Sequence, residues 1–331
     1  MKSFRIGLLG AAKIAPKAII APAASIPSAV IAGVAARDPA RAESFAKRHG
    51  VAAAFGDYAA LIASPDIDLI YNGLPISGHA AWTIKALEAG KHVLCEKPLA
   101  MNAEEARAMI GAASASGARL IEAVHCRYHK TYIAFLDRLK DIGDIRSMKA
   151  HFNVAIADNG TEIRHRPEHG GGAMMDLGCY PLGWALNVFD AAPEKVEAKA
   201  TLTKSGVDES METALTFAGG AVAHLSTSMA AGEEFSASIE VVGSNGRIEF
   251  ENPIHPHQPG RPASLKVVAD GREELLPIGR VSTYVYQLEA ALDALVTGEK
   301  LPTEGAPMLR QQETLDAVYA AAGLGHLRVR A

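Results

Sequence analysis

The chain has 331 residues, 49% of them apolar and 21% charged, with 33 Lys and Arg against 37 Asp and Glu and a formal charge of −4 at neutral pH. At roughly 100–200 residues per domain this length predicts about two domains with ample volume for a buried core. The average composition excludes disorder and fibrous repeats, and the balanced charge, with no run of five like charges, argues against a general nucleic-acid binder.

In chain order, short apolar runs at Phe4 to Leu9, Ala29 to Ala36, Asp68 to Asn72, His92 to Cys95 and Arg119 to Val124 read as strands, separated by segments long enough for crossover helices. That rhythm predicts a doubly wound parallel sheet over residues 1–124. Asp38 is placed to cap a helix with Pro39 in its first turn and Gly50 just past its end; Gly90 closes another helix, and Asn102 with Glu105 resembles a capping box. After Asp144 the pattern becomes strand after strand. Met211, Thr213, Leu215 and Phe217 share one face, a Gly-rich turn leads into Val222 to Met229, and Ser238 to Val242 with Arg247 to Phe250 flank a hairpin turn at 243–246. Two helical patterns, Val281 to Val296 and Ala306 to Leu324, finish the chain. The expected fold is therefore α/β, an N-terminal Rossmann-type domain followed over 125–331 by an α+β domain on a large, mostly antiparallel open sheet, with the last helices free to pack back on the first domain.

Three widely spaced cysteines, Cys95, Cys126 and Cys179, match neither a disulfide scaffold nor a zinc ribbon and read as reduced thiols of a cytoplasmic protein. The uncharged stretch Ala18 to Ala36 is interrupted by Pro22 and Pro27, so it reads as helix end, loop and strand rather than a membrane span. Lys13 and Lys17 break the apolar region that a secretory leader would need.

The first strand runs into Gly10-Ala11-Ala12-Lys13-Ile14-Ala15 and then a helix, the context a dinucleotide fingerprint requires. Free N–H groups and the helix dipole at such a turn favour pyrophosphate. Ala12 stands where a second Gly would let the backbone approach the phosphates, and Ala15 is the permitted variant of the third. At the end of the second strand Arg37 is suited to a 2′-phosphate, whose geometry a guanidinium fork matches, which tilts the cofactor towards NADP; Asp38 keeps NAD open.

The segment Tyr71-Asn72-Gly73-Leu74-Pro75, His79, and the run from Ala86 through Glu96-Lys97-Pro98 to Ala100, followed about eighty residues later by Gly170-Gly171-Gly172-Ala173-Met174-Met175-Asp176-Leu177-Gly178-Cys179-Tyr180, resemble the glucose-fructose oxidoreductase/inositol dehydrogenase (Gfo/Idh/MocA) family over essentially the whole chain. Within it, Gly-Cys-Tyr in the second motif resembles the branch with dihydrodiol and D-xylose dehydrogenases. The resemblance implies that Leu74, Pro75, His79 and Glu96 help hold the cofactor, that Lys97 reaches both nicotinamide ribose and substrate, that the Lys97-Pro98 peptide is cis, and that Tyr180 is the proton donor and acceptor. Proline restricts Lys97 to extended backbone at a strand's carboxyl end, where open α/β sheets bind ligands. A free phenol titrates near pH ~10, so Tyr180 needs a neighbouring cation, which Lys97 would supply. Asp176, four residues earlier, is expected on the same helix face, orienting a substrate hydroxyl. His125 and Arg127, after the sixth strand, either face the ligand, His125 as a substrate contact, or fill satisfied structural roles. Two departures stand out: Ile76 replaces a frequent Asn, removing one polar cofactor contact, and Lys130 follows His129 where Pro is usual, so the bridge into the second domain is expected to differ.

His165-Arg166-Pro167-Glu168-His169 has the spacing of a zinc peptidase motif, but that chemistry needs both His on one helix face, which Pro167 and three glycines prevent, so no metal is expected. His255-Pro256-His257 reads as a surface loop. The function implied is NAD(P)-dependent hydride transfer at a secondary alcohol, hemiacetal or carbonyl carbon of a small polyhydroxy substrate. Its rivals are a reductase of small dicarbonyls or trans-dihydrodiols, and a nucleotide-sensing regulator without catalysis. A homodimer or homotetramer through the open sheet face is expected, with no nucleic acid and no membrane.

Overall fold

The computed structural model describes residues 3–328. The chain divides into two compact units, one running up to Arg127 and including Ser282–Leu309, the other comprising Tyr128–Val281 and the residues from Arg310 onward. The first unit opens with β1 (Phe4–Leu9), α1 (Ala21–Ser25), β2 (Ala29–Ala35), α2 (Pro39–His49), β3 (Ala53–Phe55) and α3 (Tyr58–Ala63). It continues with β4 (Leu69–Asn72), α4 (His79–Glu88), β5 (His92–Glu96), α5 (Ala103–Ser116) and β6 (Leu120–Ala123). The strands form a parallel sheet in the order β3-β2-β1-β4-β5-β6. The order reverses between β1 and β4, paired from Ile6 with Leu69 to Leu9 with Asn72, and such a reversal leaves a crevice at the strands' carboxyl ends.

Alternation along the strands builds both faces. Ile6, Leu8, Leu69, Tyr71, Leu94 and Ile121 pack on one side, while Ala35, Ile70, Val93, Cys95 and Leu120 pack on the other. Helix ends follow their capping residues: Asp38 accepts from Ala40 N–H, and α2 closes on Gly50 at φ 67°. Asn102 accepts from Glu105 N–H at 2.9 Å, but Glu105 reaches back to Met101 N–H at 3.1 Å rather than to the cap itself, a box displaced by one residue. The edge strand β3, unseen in sequence, is three residues of Ala-Ala-Phe, too short to show a period.

The second unit contains α6 (Lys130–Asp137), β7 (Ile145–Asn153), α7 (Cys179–Phe189), β8 (Lys195–Leu202), β9 (Asp208–Thr216), β10 (Val222–Ser228), β11 (Ser236–Gly243), β12 (Gly246–Glu251), β13 (Ser264–Ala269) and β14 (Arg272–Leu276). Their sheet has the order β14-β13-β12-β11-β7-β10-β9-β8. All neighbours run antiparallel except β7 and β10, which are parallel and separated in the chain by α7, β8 and β9. One sheet face is apolar, with Phe152, Met211, Leu215, Leu225, Ile239 and Phe250 buried. The opposite face carries a concavity of about 560 Å³ lined by Lys149, His151, Lys199 and His224 together with Glu197 and Glu212. At the entrance to this unit His129 accepts from Thr131 N–H as the cap of α6, and Lys130 takes the first helical position that a proline would otherwise fill.

Two helices close the chain, α8 (Thr283–Thr297) and α9 (Ala306–Ala321). Helix α8 belongs to the first unit, where Tyr284, Leu288, Ala291 and Leu292 pack on Ala15, Ala18 and Ile19 behind the nucleotide turn. Arg119, just before β6, holds this return by donating to Glu304 from Nε at 2.9 Å and from Nη2 at 2.5 Å. All three cysteines are buried and no disulfide joins them. Among the described residues no helix is long and apolar enough to cross a membrane.

Candidate active site

The turn after β1 begins at Gly10, whose φ of 90° is a backbone geometry that side chains disfavour and whose N–H donates to Ala35 O. Ala12, standing in place of the expected second Gly, is accommodated from across the crevice. Its methyl lies 3.4 Å from where a Cβ on Gly73 would be, so the missing side chain at 73 makes the room. Beyond Ala15 the chain forms a π-helical turn over Pro16–Ile20 before α1. Pro22 lacks an N–H and crowds the carbonyl four residues back, so a regular α-helix is not available here. The turn between β1 and this helix is the cradle a dinucleotide pyrophosphate needs, and the residues present fit one.

At the end of β2, Arg37 is exposed beside the half-buried Tyr58. Burial pushes the Tyr58 phenol above its ordinary pKa, and the charges of Arg37 and Arg41 oppose that shift. Tyr58 meets Trp82 edge-on at 4.9 Å, and Lys85 lies 4.4 Å over the Trp82 ring. The carboxyl end of β2 is thus flanked by guanidinium and aromatic groups, matching the chemistry of an adenosine 2′-phosphate.

Lys97 lies immediately after β5, and the Lys97-Pro98 peptide is cis. This turn is clamped on several sides. His79, 1% exposed, sets Nδ1 3.1 Å from Pro98 O and Nε2 2.9 Å from Leu74 O, tying the turns after β4 and β5 together. Burial holds its pKa below the usual range, and the bonds to Leu74, Pro98 and Leu99 oppose that shift. On the other side Glu122 of β6, 2% exposed, accepts from Leu99 N–H at 2.9 Å. Burial raises the Glu122 carboxyl to about 7; the Leu99 bond opposes the shift, Glu96 adds to it and Lys97 lowers it. Glu96 accepts from the Tyr71 hydroxyl at 2.7 Å, and burial, followed by the Glu96 charge, pushes Tyr71 well above the ordinary phenol range.

In the second unit the run from Met174 to Gly178 is again a π-helical turn, leading into α7 with Pro181 near its start. The expected four-residue face shared by Asp176 and Tyr180 presumed regular α-helix, and the π turn removes that basis. Tyr180 is 6% exposed, edge-on to Phe152 at 5.7 Å. Asp176 accepts from Arg164 Nε at 2.5 Å, and Arg164 also donates to Glu162 at 2.9 Å. The Asp176 charge is the largest cause holding the Arg164 guanidinium above its ordinary range. Behind the turn Asp208, fully buried, accepts from Met174 N–H at 2.6 Å and from the Tyr319 hydroxyl at 2.7 Å. Burial raises its carboxyl to about 6. Gly172, at φ 121°, lets the chain pass: a Cβ there would come within 2.1 Å of the Asp208 carboxylate.

Residues 4–124 match the model of the oxidoreductase family with an NAD-binding Rossmann fold, and residues 138–249 match the GFO/IDH/MocA C-terminal domain. The chain is 33% identical over 321 residues to D-xylose 1-dehydrogenase (NADP(+)) 2 of Haloferax volcanii, covering 96% of this chain and 97% of that one. The chain belongs to the Gfo/Idh/MocA family. It is also 35% identical to trans-1,2-dihydrobenzene-1,2-diol dehydrogenase of Xenopus tropicalis over 82% of this chain and 80% of that one. Among solved structures, KijD10, a 3-ketoreductase from Actinomadura kijaniata in complex with NADP and TDP-benzene, superposes with a TM-score of 0.86 at 28% identity, covering 97% of this chain and 98% of that one. As a member of this family the chain is an oxidoreductase acting on CH–OH groups.

Family membership frames the remaining placements. Lys97, Glu96, Leu74 and Pro75 gather at the strand ends of the first unit, while in the second Asp176 lies in the π turn and Tyr180 in the first turn of α7. His125 is 2% exposed, its Nδ1 2.9 Å from Thr283 Oγ1 and its ring 4.1 Å from that of Tyr284, so it anchors the start of α8. Residues 163–169 form two short 3₁₀ turns rather than a helix. The sequence reading missed Glu122, Arg164, Asp208 and Tyr319, each distant in sequence from the segment it supports. Pro16, Pro22 and Pro181 are the signals that could have marked the two π turns.

Proposed function

We propose that the chain is an NADP-dependent oxidoreductase moving a hydride between the nicotinamide and a secondary alcohol, hemiacetal or carbonyl carbon of a sugar-like substrate. The observation that carries this reading is the clamped Lys97-Pro98 turn at the carboxyl end of β5, beside the switch point of an oxidoreductase-family Rossmann sheet. Of the relatives named above, the Haloferax protein is a D-xylose 1-dehydrogenase (NADP(+)) and KijD10 is a 3-ketoreductase in complex with NADP, which supports the same chemistry.

Gly10, Ala11, Ala12, Lys13, Ile14 and Ala15 hold the pyrophosphate, Leu74, Pro75 and Glu96 line the nicotinamide side, His79 fixes their turn, and Arg37 takes the 2′-phosphate. Bound NADP supplies or accepts the hydride. Tyr180 moves the hydroxyl proton, Lys97 acts in the same turnover by favouring negative charge on oxygen, and Asp176, steadied by Arg164, orients a substrate hydroxyl. Buried polar groups of this kind reject analogues that lack a partner hydroxyl.

A panel of aldoses, inositols, diketones and trans-dihydrodiols, assayed by nicotinamide absorbance with NADP and with NAD, tests the assignment. Turnover of a polyhydroxy compound preferring NADP is expected; no turnover of any compound overturns it. The similarity to the Xenopus dehydrogenase favours a second reading, in which trans-dihydrodiols or small dicarbonyls rank first on that panel. We also infer a cytoplasmic enzyme and self-association through the exposed face of the second unit's sheet, whose concavity carries charges of both signs. Sedimentation at micromolar concentration should show a dimer or tetramer.

A further inference from the structure

Glu122 is a buried carboxylate that the proposed chemistry does not use. A buried carboxyl is costly to ionise and is placed where it is only if it holds something. Here it holds two things at once. Its Oε1 accepts from Leu99 N–H at 2.9 Å, two residues beyond Lys97, and its charge interacts with that of Lys97. Its own backbone is fixed by donation to Thr303 O at 3.0 Å, so the carboxyl is carried on a tethered strand.

The titratable groups facing this cluster come from every neighbouring element. β5 brings Cys95, Glu96 and Lys97, and β4 brings Tyr71, hydrogen-bonded to Glu96. α4 brings His79, whose ring lies on Pro98 O and within the field of Lys97. α5 brings Glu105, which holds Met101 N–H, and Tyr284 of α8 lies within the field of Tyr71. Of these, Cys95 and Tyr71 are held neutral by burial, and Glu105 is bound to the far end of the turn.

We propose that Glu122 is a positioning residue for Lys97: its oxygen fixes the Lys97-Pro98-Leu99 turn, and its charge keeps Lys97 an ammonium while Tyr180 exchanges the substrate proton. The inference rests on the reading above that Lys97 assists turnover. It adds a separable statement about the ionisation of one lysine, set by one buried carboxylate. The direction follows from Coulomb attraction, since an opposite charge nearby favours the charged form of each partner. Burial raises Glu122 to about 7, so its ionisation falls inside the working range and should register at Lys97.

The test follows the Lys97 ¹³Cε resonance against pH in full-length protein labelled with [¹³Cε]lysine, the signal being assigned by its loss in Lys97→Ala. Two variants separate charge from geometry: Glu122→Gln keeps an oxygen for Leu99 N–H and removes the charge, whereas Glu122→Asp keeps the charge. In Glu122→Gln the Lys97 midpoint should fall by about one pH unit, the alkaline limb of kcat/KM should move down with it, and the inflection near 7 should vanish. In Glu122→Asp the midpoint should stay close to wild type. An unmoved midpoint in Glu122→Gln overturns the proposal, and so does an equal fall in both variants, which would assign the effect to the turn alone. If the resonances behave as stated while no alcohol or carbonyl is turned over, the ionisation link stands and the oxidoreductase assignment fails.

Discussion

Both units present a family-motif segment on an interrupted helix or a cis turn, and both hold it from behind with a buried carboxylate that accepts one backbone N–H: Glu122 for Leu99 in the first, Asp208 for Met174 in the second. The two clamps differ in what else they face. Glu122 lies in the field of Lys97, so under the proposed mechanism support and reactivity share one charge. Asp208 is instead bonded to the Tyr319 hydroxyl, while the partly buried carboxylate of its segment, Asp176, has its own cation in Arg164. Under the proposed mechanism the clamp in the field of Lys97 couples turnover to its own protonation, whereas Asp208, bonded to the Tyr319 hydroxyl and in the field of Arg328, contributes shape and stability.

The largest effects should come from the groups being clamped. Tyr180→Phe and Lys97→Met should each lower kcat by about 10²–10⁴-fold, as loss of an acid–base group does, with nucleotide affinity in a fluorescence titration nearly unchanged; full activity in either would break the comparison at its root. Next, Asp208→Ala leaves Met174 N–H and the Tyr319 hydroxyl without their buried acceptor, and urea unfolding should show a loss of about 3 kcal/mol. A loss confined to kcat would mean that this clamp acts on turnover rather than on stability.

The Glu122 clamp has a signature in pH. Its folded carboxyl sits at about 7, above its unfolded value, so its contribution to stability is fully present at low pH and is lost as pH rises through 7. Glu122→Gln should therefore match wild type near pH 4 and exceed it by up to about 3 kcal/mol at pH 8, the free energy of the raised pKa. A stability difference that does not vary with pH would remove the shift. Smaller still, Arg164→Gln frees Asp176 from its cation and should raise substrate KM by about tenfold, the scale of one charge-assisted hydrogen bond. Arg37→Ala should weaken NADP by a similar factor and leave NAD untouched, measured by competing titrations.

Much of this architecture was written in local patterns. The parallel strands announced themselves by apolar runs, Asp38 and Asn102 by their caps, Gly50 by its turn, and Lys97, Asp176 and Tyr180 by two long motifs. Those features depend on neighbours a few residues away, and the physics of a cap or a turn is legible at that range. Asp208 and Tyr319 are 111 residues apart, and Leu99 and Glu122 are 23 apart. Nothing in either residue's neighbours marks it, because a buried carboxylate acquires its role, and its raised pKa, only when folding removes water and brings a distant N–H to it. Local sequence specified which segments carry the two family motifs. The tertiary structure alone decided what holds them and at which pH they carry charge, since desolvation and long-range contact exist only in the folded chain.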